Sequence, residues 1–241
     1  MRDKVVVVTG ASRGIGRAVT WRFARAGATL GLVARNEELL RHLAEEIRAA
    51  GGRALPLPTD IGNEKEVERM VATVENKLGP IDILINNAAI FLLRSIVETT
   101  VEQWDEVMRT NLRGTFLCCR AVLPSMIRRQ AGRIINISST AGHRGYPEQA
   151  AYCASKHALN GFSKVLALEA QPHNIRVHVV SPGGVLTDLS AELRQSRGSQ
   201  DESEWITPEE VAEAVFYVAT QEGAAVTDEL PLRRFVSEPW R

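Results

Sequence analysis

KVVVVTGASRGIGRAVTWRFARA, residues Lys4 to Ala26, decides how this chain is read. Four consecutive valines, Val5 to Val8, predict a strand buried on both faces, because parallel strands covered by helices need not alternate apolar with polar. Thr9 to Gly16 is a glycine-rich turn. Behind it Ile15, Ala18, Val19 and Phe23 recur at helical spacing, so the turn opens a helix. Strand, glycine turn and helix in that order suit a diphosphate. Glycines let the backbone approach the phosphates, and the free N–H groups of the helix start face the anion. The spacing is Gly-x-x-x-Gly-x-Gly (Gly10, Gly14, Gly16) rather than the commoner Gly-x-Gly-x-x-Gly. A tight turn that only packs helix on strand is the competing reading of these residues alone.

Outward from that turn, strand and helix patterns alternate along the chain, which predicts a parallel sheet with helices on both faces. Residues 29–34 form a second strand, and 37–50 an amphipathic helix (Leu39, Leu40, Leu43, Ile47) stopped by Gly51 and Gly52. Residues 53–59 read as a third strand holding Pro56 and Pro58. Proline cannot donate to a ladder, so this strand belongs at an edge, where the doubly wound order 3-2-1-4-5-6 puts it. A helix follows over 63–78, then strands at 82–86 (DILIN), 133–138 (RIINIS) and 175–180 (IRVHVV). Between them lie a long helix over 101–129, with Trp104, Val107, Met108, Leu112 and Phe116 on one face, and another over 149–169. Polar residues 188–206, with Gly198 and several serines, read as a mobile segment. A last helix spans 208–220, and 229–235 is a final strand.

The totals frame this as one soluble α/β domain. The chain has 241 residues, 44% of them hydrophobic, with no linker, repeat or low-complexity run to divide it. Its 29 basic and 29 acidic residues cancel, which gives no footing to a nucleic-acid or anionic-membrane surface. Strand-like sequence begins at Lys4, and no apolar run approaches about 18 residues, so neither a signal peptide nor a membrane span is read. Cys118, Cys119 and Cys153 fall on predicted helices and two are adjacent, which fits reduced thiols in the cytoplasm. No metal-ligand set is read.

The chemistry gathers around the helix over 149–169. Tyr152 and Lys156, four apart, lie on one face one turn from each other. A tyrosine with its ordinary pKa of about 10 is a poor acid–base catalyst at neutral pH, and a nearby cation lowers that value. Thirteen residues before Tyr152, Ser139 stands at the carboxyl end of the fifth strand, where ligands of open α/β sheets bind. Asn111 sits inside a predicted helix although asparagine is a mediocre helix former.

Together these motifs resemble the short-chain dehydrogenase/reductase family: TGASRGIG at 9–16, Asp60, NNAA at 86–89, Asn111, ISS at 137–139, YCASK at 152–156 and SPGGVLT at 181–187, in order over about residues 1–190. The resemblance implies a single-domain, Rossmann-like doubly wound fold and hydride transfer between NADP(H) and a carbonyl or alcohol. Tyr152 is then the proton donor or acceptor, Lys156 lowers its pKa and holds the nicotinamide ribose, and Ser139 polarises the carbonyl. Asn111 is expected to hold a water linking Lys156 to solvent. Gly10, Ser12, Arg13, Gly14, Ile15 and Gly16 would cradle the diphosphate, Asp60 and Ile61 the adenine, and Asn87 and Ala88 the adenosine ribose. Pro182, Gly183, Val185 and Thr187 would enclose the nicotinamide. No acid follows the second strand; Ala34 and Arg35 stand there, with Arg13 nearby, and two guanidinium groups suit a 2′-phosphate.

The carboxyl terminus departs from the family pattern. Asp228 replaces a glycine, Pro231 interrupts the strand, and Arg233 and Arg234 replace apolar positions, so the subunit contact or pocket closure built there is open to question. The expected substrate walls are Phe91, Leu92, His143, Arg144, Gly184, Leu186 and Leu189, under a lid over 188–206. His143 and Arg144 suit a carboxylate or a phosphopantetheine phosphate, and Arg128 and Arg129 an acidic carrier protein. Small uncharged residues Ala154, Ala158, Gly161 and Val165 on the back of the Tyr152 helix predict a homodimer or homotetramer. The leading function is reduction of a ketone or 3-oxo group by NADPH. The alternatives are a 3-oxoacyl-carrier-protein reductase and, from another class, a dinucleotide-binding regulator without turnover.

Overall fold

The valines of Val5–Thr9 (β1) divide their side chains between two cores. Val6 and Val8 enter one apolar cluster, Val5 and Val7 the other, and all four are buried. That is why the stretch runs apolar without alternation. The structure is a computed structural model that describes residues 1–196 and 201–239. Among these, seven strands form one parallel sheet in the order β3-β2-β1-β4-β5-β6-β7. The strands are β1, Thr29–Ala34 (β2), Arg53–Pro58 (β3), Ile83–Asn86 (β4), Gly132–Ile137 (β5), Ile175–Pro182 (β6) and Glu229–Leu232 (β7). The third strand lies at an edge and its two prolines are accommodated there, as the sequence requires.

Helices Gly14–Arg25 (α1), Glu37–Ala49 (α2) and Pro208–Thr220 (α8) cover one face. The other face takes Glu64–Lys77 (α3), Gly114–Arg129 (α5) and Ala150–Ala170 (α6). Caps set several boundaries: the Asn36 and Asn63 side chains accept backbone N–H groups at the starts of α2 and α3, and Thr207 with Glu210 forms a capping box before α8.

Three expected elements differ. The long helix over 101–129 is interrupted: Val101–Met108 (α4) passes through a π-helical turn, Arg109–Arg113, into α5. The turn inserts an extra residue and brings Asn111 inward, which is a common use of such turns at functional sites. The final strand ends at Leu232 because the chain turns back, with Ser237 N–H donating to Arg234 O at 3.0 Å. Within 188–206 the described residues include a short helix, Ala191–Ser196 (α7), and a bridge of Val185 with Ile206; residues 197–200, Gly198 among them, lie outside the described residues. No helix of the described residues is long and apolar enough to cross a membrane.

Candidate active site

Two cavities meet along the carboxyl ends of the strands and share Ile15, Asn87, Ala89, Thr187 and Leu189 in their walls. The smaller, about 300 Å³, begins at the glycine turn. Gly10 and Gly14 hold φ of 66° and 52°, the left-handed region that favours glycine. A Cβ on Gly10 would sit 2.8 Å from Asn87 Nδ2, and one on Gly16 would sit 2.0 Å from Gly10 O. Gly16 therefore lines neither cavity; it lets α1 start against the turn. Asn87 Nδ2 donates to Thr9 O and Gly10 O (3.0 and 3.2 Å), while Thr9 Oγ1 accepts from the Asn87 and Ala88 amides. Bare backbone around an open groove at a helix start leaves the space a dinucleotide diphosphate needs.

Ser12, Arg13, Gly14, Ile15, Arg35, Asp60, Ile61, Asn87 and Ala88 line this cavity together. Its far end is an ion-pair chain that the sequence did not disclose. Arg109 Nη1 donates to Asp60 Oδ2 at 2.9 Å and Nε to Glu106 Oε2 at 2.7 Å, and Arg35 lies 3.8 Å from Glu106. Burial works against the Asp60 charge, but the Gly62 amide and Arg109 hold its carboxyl below the usual range. An adenine amino group would share an already clamped carboxylate.

The larger cavity, about 700 Å³, contains Ser139, Tyr152 and Lys156, with Pro182, Gly183, Val185 and Thr187 at the end of β6 and just beyond. Lys156 is 3% exposed; its Nζ donates to Ile137 O at 2.8 Å and lies 5.7 Å from the Tyr152 ring centre. Phe91 meets the Tyr152 ring edge-on at 5.0 Å. Burial pushes the Tyr152 hydroxyl up to about 12, opposed by a hydrogen bond from Ser139, and burial pulls Lys156 down to about 8. At neutral pH the tyrosine is therefore protonated, the state a proton donor to a carbonyl needs.

Asn111 lines neither cavity. Its Nδ2 donates to Ile90 O (2.9 Å) and Ser155 Oγ (3.1 Å), and its Oδ1 accepts from Ile90 N–H (2.8 Å). The side chain thus pins the strand leaving β4 to the helix that carries Tyr152. Both amide groups of the side chain are engaged in this way.

Of the expected substrate walls, Phe91, Arg144, Gly184 and Leu189 line the cavity, and Leu92, His143 and Leu186 do not. His143 Nε2 is taken by Glu229 Oε1 at 2.5 Å, and the Leu186 amide donates to Ile206 O. Arg129 is turned inward, with Nη2 donating to Ile81 O at 2.6 Å. Walls that the sequence reading did not name include Tyr146, Gln149 and the chain end, and Trp205 is a part of the expected 188–206 lid that packs against Gly184, just past the end of β6. The Gly183 amide donates to Leu232 O at 2.7 Å, which lays Pro231 to Arg234 beside the end of β6. Trp205 is 4% exposed, and a Cβ on Gly184 would lie 2.7 Å from its indole. The paired glycines 183 and 184 were the available signal: each marks a close approach.

On the back of α6 Val165 is 54% and Leu168 70% exposed, and a Cβ on Gly161 would meet nothing within 4 Å. A groove lined by Met108, Leu112, Phe116, Ala158 and Phe162 runs alongside.

The model of a family described as short chain dehydrogenase matches residues 4–198. A short chain dehydrogenase of Pseudocercospora fijiensis is 41% identical over 193 residues, which are 79% of this chain and 62% of that longer protein. A 3-oxoacyl-[acyl-carrier-protein] reductase of Synechocystis is 36% identical over 92% of this chain and 91% of its own length. Among solved structures, an actinorhodin polyketide ketoreductase variant with NADPH superposes with a TM-score of 0.88 at 36% identity, covering 95% of both chains.

Proposed function

The chain belongs to the short chain dehydrogenase family, and from that premise we propose that it reduces a ketone or 3-oxo group with NADPH. The observation that carries the reading is the meeting of Ser139, Tyr152 and Lys156 in a cavity continuous with the glycine cradle. When bound, NADPH supplies the hydride. The chain does the rest. Gly10 and Gly14 keep side chains out of the diphosphate's path, and Arg13 and Arg35 flank the groove where a 2′-phosphate is read. Ser139 and Tyr152 hydrogen-bond the carbonyl oxygen, and Tyr152 gives its proton to that oxygen as negative charge develops. Lys156 supplies positive charge beside the ring and so stabilises the phenolate left behind. Asn111 is a positioning residue that fixes α6 against the segment after β4.

The NADPH preference follows from Ala34 and Arg35 standing where an acidic partner for the ribose hydroxyls would be. The described residues of 188–206 (188–196 and 201–206) cover the substrate side, a reading supported by Leu189, Leu193 and Trp205 in the cavity wall. The active form is at least a dimer joined through α4, α5 and α6, whose exposed Trp104, Phe116, Val165 and Leu168 support a helix-on-helix contact. Ala158→Glu should split it and lower activity together, read by light scattering; a fully active wild-type monomer contradicts the assembly. The function is tested by NADPH oxidation against diketones, oxoesters, sugars, steroids and oxoacyl thioesters. Turnover with one of these classes is expected, and inertness toward all of them, with NADPH bound, favours a regulator. Much better turnover of carrier-linked acyl chains than of small ketones favours the 3-oxoacyl-carrier-protein reductase reading, which the Synechocystis relative supports.

A further inference from the structure

The chain end that departs from the family pattern forms a wall of the substrate cavity, and it brings charge there. Pro231, Leu232, Arg233, Arg234, Ser237, Glu238 and Pro239 all face the cavity that holds Tyr152. The lining carries Arg144, Lys156, Arg233 and Arg234 against Glu238, the one carboxylate among the described side chains there, in a chain whose totals are 29 basic and 29 acidic. Local cationic excess in a neutral chain points to an anionic ligand. The glycine turn, where a diphosphate would sit, belongs to the other cavity, and Arg233 and Arg234 do not line that one.

The arginines differ in what they already do. Arg233 Nη1 donates to the carbonyl oxygens of Arg234, Phe235 and Ser237, which holds the tail in its turn. Arg144 Nε donates to the Tyr146 hydroxyl at 2.6 Å. Arg194 lies near the Trp205 ring too, and its Nη1 donates to Thr187 O and Ser190 Oγ. Arg234 is different. Its guanidinium carbon lies over the Trp205 ring, 5.0 Å from the ring centre, and among the described residues the group has neither a hydrogen-bond acceptor nor a carboxylate partner. Trp205 is buried against Gly184, so the ring is fixed. A planar fork held by one face keeps its N–H edges free for a carboxylate or phosphate.

We infer that the substrate carries an anionic oxygen group, carboxylate or phosphate, remote from the reacting carbonyl, and that Arg234 receives it. The inference rests on the reductase reading. Phe91, Leu189 and Leu193 give the cavity apolar wall as well, so the substrate is an amphipathic carbonyl compound, charged at one end. Two sources offer this chemistry: the carboxylate of a free oxo acid and the phosphate of a phosphopantetheine thioester.

The experiment compares two matched pairs with NADPH: an oxo acid against its methyl ester, and a 3-oxoacyl phosphopantetheine against the same acyl pantetheine. In one pair kcat/KM should favour the charged member by at least about tenfold, or about 1.4 kcal/mol. The pair that does so identifies the source. Arg234→Met should remove that preference through KM, with the neutral member within about twofold, and Arg234→Lys should restore part of it. An unchanged melting temperature shows that Arg234→Met is folded. Binding to Tyr152→Phe with NADPH, by calorimetry, separates recognition from turnover. No turnover of any of the four, with the charged member still bound through Arg234, contradicts the reductase reading alone. Equal use and equal binding of charged and neutral members, or a charged preference that survives Arg234→Met, overturns the anion site.

Discussion

The two ends of the cleft are built differently. At the amino-terminal end, from β1 to the start of α1, the site is made of backbone: glycines at positive φ, amides at a helix start, a threonine hydroxyl accepting two N–H groups. At the substrate end it is made of side chains brought from far apart, Phe91, Arg144, Trp205 and Arg234. A backbone demand leaves a fixed local spacing in the sequence. A wall assembled from distant segments leaves none.

Substitutions should therefore act differently at the two ends. A large loss of cofactor affinity belongs to Gly16→Ala, whose Cβ would lie 2.0 Å from Gly10 O. That contact forces the turn and α1 apart. NADPH affinity should fall at least about 100-fold, about 2.7 kcal/mol, by calorimetry; affinity within threefold of wild type would erase the contrast between the two ends.

Between the ends, Lys156→Met probes the buried cation. Its pKa in the folded chain is about 8 against an ordinary 10.5, a difference worth about 3 kcal/mol. The folded state disfavours the charged lysine, so wild-type stability contributed by this group rises as pH climbs from 8 to 10.5. The variant lacks that rise, and the difference in its favour at pH 7 should shrink across the same window. Parallel stability curves for the two proteins, by denaturant titration, would contradict the burial cost.

A smaller effect, confined to the amino-terminal end, is expected from Ala34→Asp with Arg35→Ala. Removing one charge-assisted partner of the 2′-phosphate and adding a carboxylate should turn at least a tenfold preference for NADPH into one for NADH, about 1.4 kcal/mol each way. Equal native kcat/KM with the two cofactors would remove the premise.

The sheet order, the edge position of the proline-bearing strand and the convergence of Ser139 with Tyr152 and Lys156 were all legible, because each follows from periodicity or a fixed local spacing. The π-helical turn at Arg109–Arg113 was not. Only the odd presence of Asn111 hinted at it, and its partners Ile90 and Ser155 lie 21 and 44 residues away. The Arg109 bridge from Asp60 to Glu106 and the turned-away His143 were hidden for the same reason. The carboxyl-terminal wall was hidden more deeply. Its arginines read as a loss of strand pattern, and only the Gly183 contact with Leu232 O reveals them as pocket lining.

The central claim is that a cofactor end made of backbone and a separate proton donor meet in one site. Tyr152→Phe tests it most directly, with NADPH binding by calorimetry and single-turnover hydride transfer measured on the same protein. The account predicts NADPH affinity within about threefold of wild type and hydride transfer slowed at least about 1,000-fold, about 4 kcal/mol. A variant that keeps a tenth of the wild-type rate on the best substrate would contradict it.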